Sequence, residues 1–239
     1  MLVMTGTGTG VGKTITTAAI AALALEQGRR VAVLKPAQTG VAPEEPGDLD
    51  EVVRLAGPGL TTLELRRYPD PLSPEAAARR SGLPVLGPGE IAAAAGGLDA
   101  DHDLTLVEGA GGLLVRFDPQ GSGLADVAWA LGAPLVIVAE AGLGTLNATA
   151  LTAEVATRRG LNVAGVVIGS WPAIPDLAAV ENLRDLPEAA GAPLLGVLSE
   201  GLGEANRDTF AERVRHGLSP WFGGEFDPET FAGSVSAQK

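Results

Sequence analysis

The sequence predicts a single α/β domain with a mostly parallel central sheet and helices on both faces. Short apolar runs alternate with helix-like stretches from one end of the 239-residue chain to the other. Strands that are apolar at every position, rather than at alternate positions, are typical of a parallel sheet buried on both sides. A chain of this length buries a hydrophobic core without disulfides or other staples.

The elements follow this pattern in order. The first apolar run, residues 2–5, leads into a glycine-rich loop, and the helix-like segment after it stops at Gly28. A second short strand is followed by a loop rich in Pro, Gly and acidic residues. Strands are predicted over residues 2–5, 31–34, 104–107, 135–139, 163–168 and 194–197. Helices are predicted over residues 14–27, 49–56, 74–80, 90–95 and 145–159.

The C-terminal segment differs in composition from the rest of the chain. We expect one domain over residues 1–224 and a poorly specified tail over residues 225–239. The stretch from Trp221 onward is rich in Gly and acidic residues and carries three of the five phenylalanines. Its rings either cover a patch on the same chain or pack on a second subunit.

Charge and composition exclude several classes of function. The formal net charge is -12, so the basic surface expected of a nucleic-acid-binding protein is missing. Cysteine is absent and only two histidines occur, which argues against a thiolate metal site and a cysteine nucleophile. No apolar run approaches the ~18 residues of a membrane span, and no signal peptide is evident. We expect a cytoplasmic protein without membrane or nucleic-acid partners.

A glycine-rich loop between the first strand and the first helix predicts a phosphate-binding P-loop. Its residues run from Gly6 to Thr14 and read Gly-Thr-Gly-Thr-Gly-Val-Gly-Lys-Thr. Glycines turn the backbone tightly so that several N–H groups face one anion, and the helix N-terminus adds partial positive charge. Lys13 is expected to reach the outer phosphates and Thr14 to bind Mg²⁺. The predicted phosphate contacts are Thr9, Gly10, Val11, Gly12, Lys13 and Thr14.

Lysine usage points to the same chemistry. The sequence holds three lysines, Lys13, Lys35 and Lys239, and all its other basic charges are arginine. An ammonium is a compact point charge, whereas a guanidinium is a broad planar fork. A tight phosphate pocket distinguishes the two, so the two internal lysines are candidates for phosphate contacts.

Acidic residues at the ends of other strands complete a candidate magnesium site. The carboxyl ends of parallel strands share one edge of a sheet, so Lys35 and Glu108 are expected to meet the glycine loop there. Mg²⁺ takes a few oxygen ligands and keeps its other positions for water and phosphate. Thr14, Asp48 and Glu108 form a plausible set, with Asp50 as the rival of Asp48. These residues indicate an enzyme that uses a magnesium–nucleoside triphosphate, and they leave its acceptor open.

Five motifs in this order resemble those of the dethiobiotin synthetase family. They are the long glycine loop from Gly6 to Thr14, Lys-Pro-x-Gln-Thr-Gly from Lys35, Ser73-Pro74, Val-Glu-Gly-Ala-Gly-Gly from Val107, and Leu-Gly-Thr-x-Asn from Leu143. The resemblance extends from Leu2 to about Gly196. Related amidoligases share single motifs, whereas the full set is more specific.

The resemblance implies a reaction and a set of roles. The substrates would be 7,8-diaminopelargonic acid, CO₂ or bicarbonate, and ATP or another nucleoside triphosphate, with Mg²⁺ as cofactor. By this similarity Lys13 holds the transferring phosphoryl group and Lys35 bridges it to a carbamate. Thr9, Thr39 and Gly111 would contact the carbamate and diamine.

The resemblance also implies a homodimer with shared active sites. The segment Gly144, Thr145, Leu146 and Asn147 opens a helix, whose N–H groups suit the far carboxylate of the substrate. In the family this helix comes from the other subunit. An ordinary helix cap is the alternative interpretation.

The expected base pocket departs from the family. Many members place an Asn after the strand that ends here at Ile168, whereas Gly169 and Ser170 follow it in this chain. Ser199 stands where many members have a proline. The residues at the base are therefore expected to be Gly169, Ser170, Leu198 and Ser199, with a relaxed choice of base.

Two other functions remain open. One is a related P-loop amidoligase that activates a different carboxylate. The other is a switch ATPase of the ParA/MinD type, although those proteins place a second lysine early in the glycine loop, where this chain has Gly8.

Overall fold

A seven-stranded sheet forms the centre of the computed structural model, which describes residues 1–237. Residues 238 and 239 of the predicted tail, including Lys239, lie outside the described residues. The strands are β1 (Leu2–Gly6), β2 (Val31–Thr39), β3 (Leu60–Tyr68), β4 (Leu104–Gly112), β5 (Leu135–Ala139), β6 (Val163–Trp171) and β7 (Leu194–Ser199). The helices of this part of the chain are α1 (Lys13–Glu26), α2 (Asp48–Ala56), α3 (Pro74–Ser81), α4 (Pro88–Asp101), α5 (Leu124–Leu131), α6 (Thr145–Arg158), α7 (Leu177–Ala190), α8 (Arg207–Gly217) and α9 (Pro228–Ser236).

The strand order is β3-β2-β4-β1-β5-β6-β7, and every pair of neighbouring strands is parallel. The predicted fold class is confirmed. Helices α1, α2 and α8 cover one face of the sheet, and the buried side chains of Leu2 and Met4 point toward them. Val3 points to the opposite face, where α3, α4 and α5 cover one half and α6, α7 and α9 the other. None of the helices within residues 1–237 is long and apolar enough to cross a membrane.

Several strands are longer than the sequence predicts. β2 runs on to Thr39, so the first part of the loop predicted from residue 36 is strand. β4 includes the glycine run after Glu108, and β6 includes Gly169 and Ser170. Each extension lies at the carboxyl end of its strand, where polar residues and glycines interrupt the apolar run.

The sequence predictions omitted β3, α5, α7, α8 and α9 altogether. β3 is an edge strand of mixed burial, so it has no continuous apolar run. α8 is mostly charged and buries only Phe210 and Val214. α7 contains Pro187, a residue that usually ends a helix.

The C-terminal segment packs on its own chain. Phe226 is buried in the same core cluster as α7, and the rings of Trp171 and Phe231 meet edge-on with centroids 5.4 Å apart. Phe222 packs instead in the cluster of α1 and α8. Phe222, Phe226 and Phe231 therefore cover two patches of the core of this chain.

Candidate active site

A cleft of about 590 Å³ opens at the carboxyl edge of the sheet. It brings together the glycine loop, the ends of β2 and β4, and the start of α2. Its lining includes the predicted site residues Thr9, Gly10, Gly12, Lys13, Thr14, Lys35, Thr39, Asp48, Glu108 and Gly111. Gln38, Ser73 and Pro74, which belong to the motifs that carry the family resemblance, also line it.

The cleft exists because neighbouring strands separate at their carboxyl ends. The ladder between β2 and β4 stops at Leu34 and Val107, just before the two charged residues Lys35 and Glu108. On the other side of β4, the register with β1 shifts after Glu108. Such a shift marks a β-bulge, which bends a strand and redirects its side chains. Gly111, with φ of +73°, provides the backbone conformation for this bend.

The glycine loop wraps around the ammonium group of Lys13. Lys13 is buried, and its Nζ donates to the carbonyl oxygen of Gly8 at 2.7 Å. A methyl group on Gly6 would lie 2.8 Å from Val11 Cγ2 and 3.1 Å from Lys13 Nζ, so a side chain does not fit there. Gly12 is the N-cap residue of α1 and adopts the left-handed conformation. It has no side chain to cap the helix, so the first amides of α1 are left for an anion.

A buried ion pair joins β2 to β4 beneath the loop. Lys35 Nζ lies 2.8 Å from Glu108 Oε1 and 2.5 Å from Asp48 Oδ2. Lys35 is 4 % exposed and Glu108 is 1 % exposed. Thr14 Oγ1 donates to the same Glu108 oxygen at 2.9 Å. The four residues predicted to serve the metal and the phosphates thus form one connected network.

The oxygens of this network fit a magnesium ion. Glu108 Oε2 is buried and accepts no hydrogen bond from the described residues, so it has a lone pair to offer. A hydroxyl and carboxylates are the hard oxygen ligands that Mg²⁺ prefers. Within residues 1–237 no three acidic or histidine side chains cluster as a self-sufficient metal site. The hydroxyl and carboxylates of this network would fill some of the positions around a Mg²⁺ ion, and water and phosphate oxygens would fill the others.

Geometry separates Asp48 from its rival Asp50. Asp50 Oδ2 accepts from the backbone N–H of Gly47 at 2.7 Å and so caps the start of α2. Asp48 instead faces Lys35 across the cleft. Of the two carboxylates, Asp48 is the one placed beside Glu108 and the lysines.

The two lysines experience opposite fields. Burial lowers the pKa of Lys13, and the nearby charge of Lys35 lowers it further. Burial also acts to lower the pKa of Lys35, but Glu108 and Asp48 outweigh it and the pKa is raised. Lys35 is thus held as an ammonium by its carboxylate partners, whereas Lys13 has its charge only incompletely compensated.

The four residues predicted to bind the base differ in their exposure at this edge of the sheet. Gly169 is buried against the glycine loop, and a methyl group there would overlap the carbonyl oxygen of Val11. Ser170 and Ser199 are exposed at the ends of β6 and β7. The side chain of Leu198 lies wholly in the core, so only its backbone can face a ligand. Glu200 borders the same edge, and its Oε1 accepts a hydrogen bond from Ala173 N at 2.8 Å. It was not among the residues predicted from the sequence.

The predicted anion site at the start of α6 does not border this cleft. Gly144 adopts the left-handed conformation and begins the helix without a side-chain cap. Thr145 is buried and its hydroxyl has no partner among the described residues, whereas Asn147 is exposed. Leu146 packs partly against the core of α7.

Comparisons with known proteins agree with this fold. A family model described as an AAA domain matches residues 1–202. The chain resembles the cell division ATPase MinD of Pyrococcus furiosus with a TM-score of 0.54 and 17% identity, covering 100% of this chain and 99% of that one. It resembles a ParA family ATPase from Chlorobium tepidum with a TM-score of 0.53 and 13% identity, covering 100% of this chain and 99% of that one. The fold and the glycine loop therefore define a P-loop nucleotide-binding protein.

Sequence similarity identifies the family within this class. The chain is 60% identical over 232 residues to the ATP-dependent dethiobiotin synthetase BioD of Streptomyces avermitilis, covering 97% of each chain. It is 62% identical over 226 residues to the protein of the same name from Saccharopolyspora erythraea, covering 95% of this chain and 98% of that one. The chain belongs to the dethiobiotin synthetase family.

The opposite fields at the two lysines predict opposite effects on stability. Lys35→Met should lower the free energy of unfolding by about 3–5 kcal/mol, because it leaves the Glu108 carboxylate buried without its counter-charge. Lys13→Met should leave the stability at pH 7 unchanged or higher. Urea unfolding of both variants measures the two free energies of unfolding, and each variant serves as the matched control of the other.

The difference in stability between the two variants should depend on pH, because the pKa of Lys13 differs between the folded and unfolded protein. The pKa of Lys13 in the folded protein lies below its usual value of 10.5, so its charged form destabilises the folded state at neutral pH. That penalty vanishes as the pH rises to 10.5. Any stability advantage of Lys13→Met should therefore shrink between pH 7 and pH 10.5. Equal destabilisation by the two substitutions at pH 7 would contradict the assigned fields.

Proposed function

We propose that this chain closes the ureido ring of dethiobiotin by adding CO₂ to 7,8-diaminopelargonic acid, at the expense of a nucleoside triphosphate. The observation that carries the proposal is the convergence of Lys13, Lys35 and Glu108 on one cleft beside a phosphate-binding loop. Relatives at 60% and 62% identity bear the name ATP-dependent dethiobiotin synthetase. Because the reaction consumes a nucleoside triphosphate, we place it in the cytoplasm.

The chemistry has three balanced steps. The 7-amine of the diamine adds to the carbon of CO₂ and loses a proton, which gives a carbamate. A carbamate oxygen then attacks the γ-phosphorus of the triphosphate, so that a carbamic–phosphoric anhydride forms and the nucleoside diphosphate leaves. Finally the 8-amine attacks the carbamate carbon, the C–O bond to the phosphoryl group breaks, a proton is lost, and phosphate leaves with the ring closed.

The second step requires charge neutralisation more than covalent participation by the protein. A carbamate and a triphosphate are both anions, and their approach is opposed by repulsion. Lys13, held in the glycine loop, meets the transferring phosphoryl group, and Lys35 lies where it can bridge that group and the carbamate. Fixed positive charges at developing negative charge lower the barrier without reorganisation.

Thr14, Asp48 and Glu108 would hold Mg²⁺. When bound, the ion supplies further neutralisation of the phosphate oxygens. Thr9 and Thr39 line the same cleft and would hydrogen-bond the carbamate and the diamine. Gly111, at the bulge in β4, lets the backbone approach the same substrate.

Phosphate release by the purified protein tests this function. With Mg²⁺, bicarbonate and a nucleoside triphosphate, release should depend on 7,8-diaminopelargonic acid, and mass spectrometry should detect dethiobiotin. Lys13→Ala and Glu108→Ala should each lower kcat by about 100-fold or more, the scale for removing one preorganised charge. Phosphate release that ignores the diamine would favour a switch ATPase, and none with this acceptor would favour an amidoligase for another carboxylate.

We further propose that the choice of base is relaxed. Gly169 has no side chain and that of Leu198 is apolar and buried, so neither offers a side-chain hydrogen bond to a base. A bidentate base contact is worth about 1–3 kcal/mol of discrimination. GTP and CTP should therefore compete with ATP in the diamine-dependent assay. A preference for ATP of about a hundredfold or more in kcat/KM, some 2.7 kcal/mol, would overturn this proposal.

We also propose a homodimer whose active sites are shared. The start of α6 lies outside the cleft of its own chain, and apolar Leu114 and Leu151 are exposed beside a hollow of about 460 Å³. A second copy packed there would cover these side chains and bring Asn147 to the partner's cleft.

Mixed dimers test the sharing. Lys13→Ala removes catalysis, and Asn147→Asp should raise KM for the diamine by repelling its carboxylate. In a shared arrangement, a mixed dimer of these two variants carries one site with both changes and one intact site. Mixing the variants should restore turnover with a normal KM. Turnover that stays at the level of the separate variants would show that each site is built from one chain.

A further inference from the structure

We propose that Gln38 is a positioning residue that fixes Asp48 for metal binding. The proposal rests on the function proposed above. Gln38 lies in β2, three residues after Lys35, and its side chain is 4 % exposed. Its Oε1 accepts from the backbone N–H of Asp48 at 2.9 Å. A buried amide of the sheet thus anchors the first residue of α2, which carries the carboxylate facing Lys35.

The start of α2 depends on this anchor because its own cap has no side chain. The N-cap residue is Gly47, and the Asp50 carboxylate accepts a hydrogen bond from its N–H at 2.7 Å. The first amides of a helix have no partner within the helix and must find one elsewhere. Gln38 supplies that partner from the sheet. The Asp48 carboxylate is 36 % exposed and meets Lys35 Nζ at 2.5 Å, so the backbone contact with Gln38 and this ion pair together hold it in place.

The neighbouring edge strand reinforces the arrangement. Arg67 of β3 pairs in register with Gln38 and donates to the carbonyl oxygen of Glu45 at 2.5 Å, in the loop before α2. Glu64 holds the same guanidinium at 2.7 Å. A methyl group on Gly47 would lie 2.9 Å from both Gln38 Oε1 and Arg67 Nη2. Glycine at this position is what lets the loop approach both anchors.

The anchor acts on the reaction through the metal. A ligand held only by a flexible loop binds a cation less tightly than one whose backbone is fixed, and residues that orient ligands change metal affinity by about 10–100-fold when replaced. Asp48 also contacts Lys35, so a displaced Asp48 alters the ammonium that meets the carbamate. Gln38 touches the backbone of Asp48 rather than the reacting atoms, and its effect is one of position.

Manganese binding tests the proposal without turnover. Electron paramagnetic resonance measures the Kd of Mn²⁺ on the full chain with ATP bound and no diamine present. Gln38→Met keeps the length of the side chain but removes its acceptor, and should weaken Mn²⁺ binding by about 10-fold or more. Gln38→Glu retains acceptor oxygens at the same position, and should stay within about 3-fold of the parent on that scale.

Two further variants separate position from stability. Gly47→Ala pushes the Gln38 amide away without changing it, and should weaken Mn²⁺ binding as Gln38→Met does. Asp227→Ala removes a comparable side-chain cap, to Thr230 N at 2.8 Å, from α9. It should lower the melting temperature and leave Mn²⁺ affinity unchanged.

The outcomes are distinct. Unchanged Mn²⁺ affinity in folded Gln38→Met or in Gly47→Ala would overturn the proposal, as would Gln38→Glu binding as weakly as Gln38→Met. If Gln38→Met does not fold, Gly47→Ala and Gln38→Glu decide. If the parent binds Mn²⁺–ATP but does not turn over the diamine, the proposed function fails while the positioning role is still tested.

Discussion

The ion pair between Lys35 and Glu108 is the constraint on which the site depends. Both charges are almost fully buried, and they lie 2.8 Å apart on neighbouring strands. A buried charge without a partner destabilises a protein by several kcal/mol, so replacing either residue alone weakens the fold. The pair is possible because β2 and β4 stop hydrogen-bonding one residue earlier, at Leu34 and Val107. The sheet separates where the charges begin, and the cleft is the space that results.

The sequence predicted the parts of the fold whose signals are local. β5 is apolar at all five positions and was predicted with its observed bounds, and the glycine loop was assigned from its spacing. β3 gave no such signal, because an edge strand with exposed positions has neither a continuous apolar run nor strict alternation. α8 is a charged helix with two buried residues, and its identity depends on the core that those residues meet.

In the site, too, some features have a local sequence signal and others depend on contacts between distant parts of the chain. Shared strand ends sufficed to predict that Lys35, Glu108 and the glycine loop converge. The choice between Asp48 and Asp50 could not be predicted, because both lie in the first turn of α2. It depends on which carboxylate caps Gly47, and Gln38 bonds the same helix start from another strand. The contact spans a loop, so no spacing rule encodes it.

Helix α2 connects the two ends of the proposed nucleotide site. Its first residue faces Lys35, while Arg54 in its last turn donates to the carbonyl oxygens of Gly203 and Ala205, just beyond β7. At the phosphate end Lys13, Lys35 and Glu108 are buried. At the base end the side chains of Ser170 and Ser199 are exposed and no side-chain amide stands at Gly169. Rigid, desolvated groups discriminate strongly between ligands, and exposed ones do so weakly. This contrast supports the proposal that selectivity rests on the triphosphate and the acceptor rather than on the base.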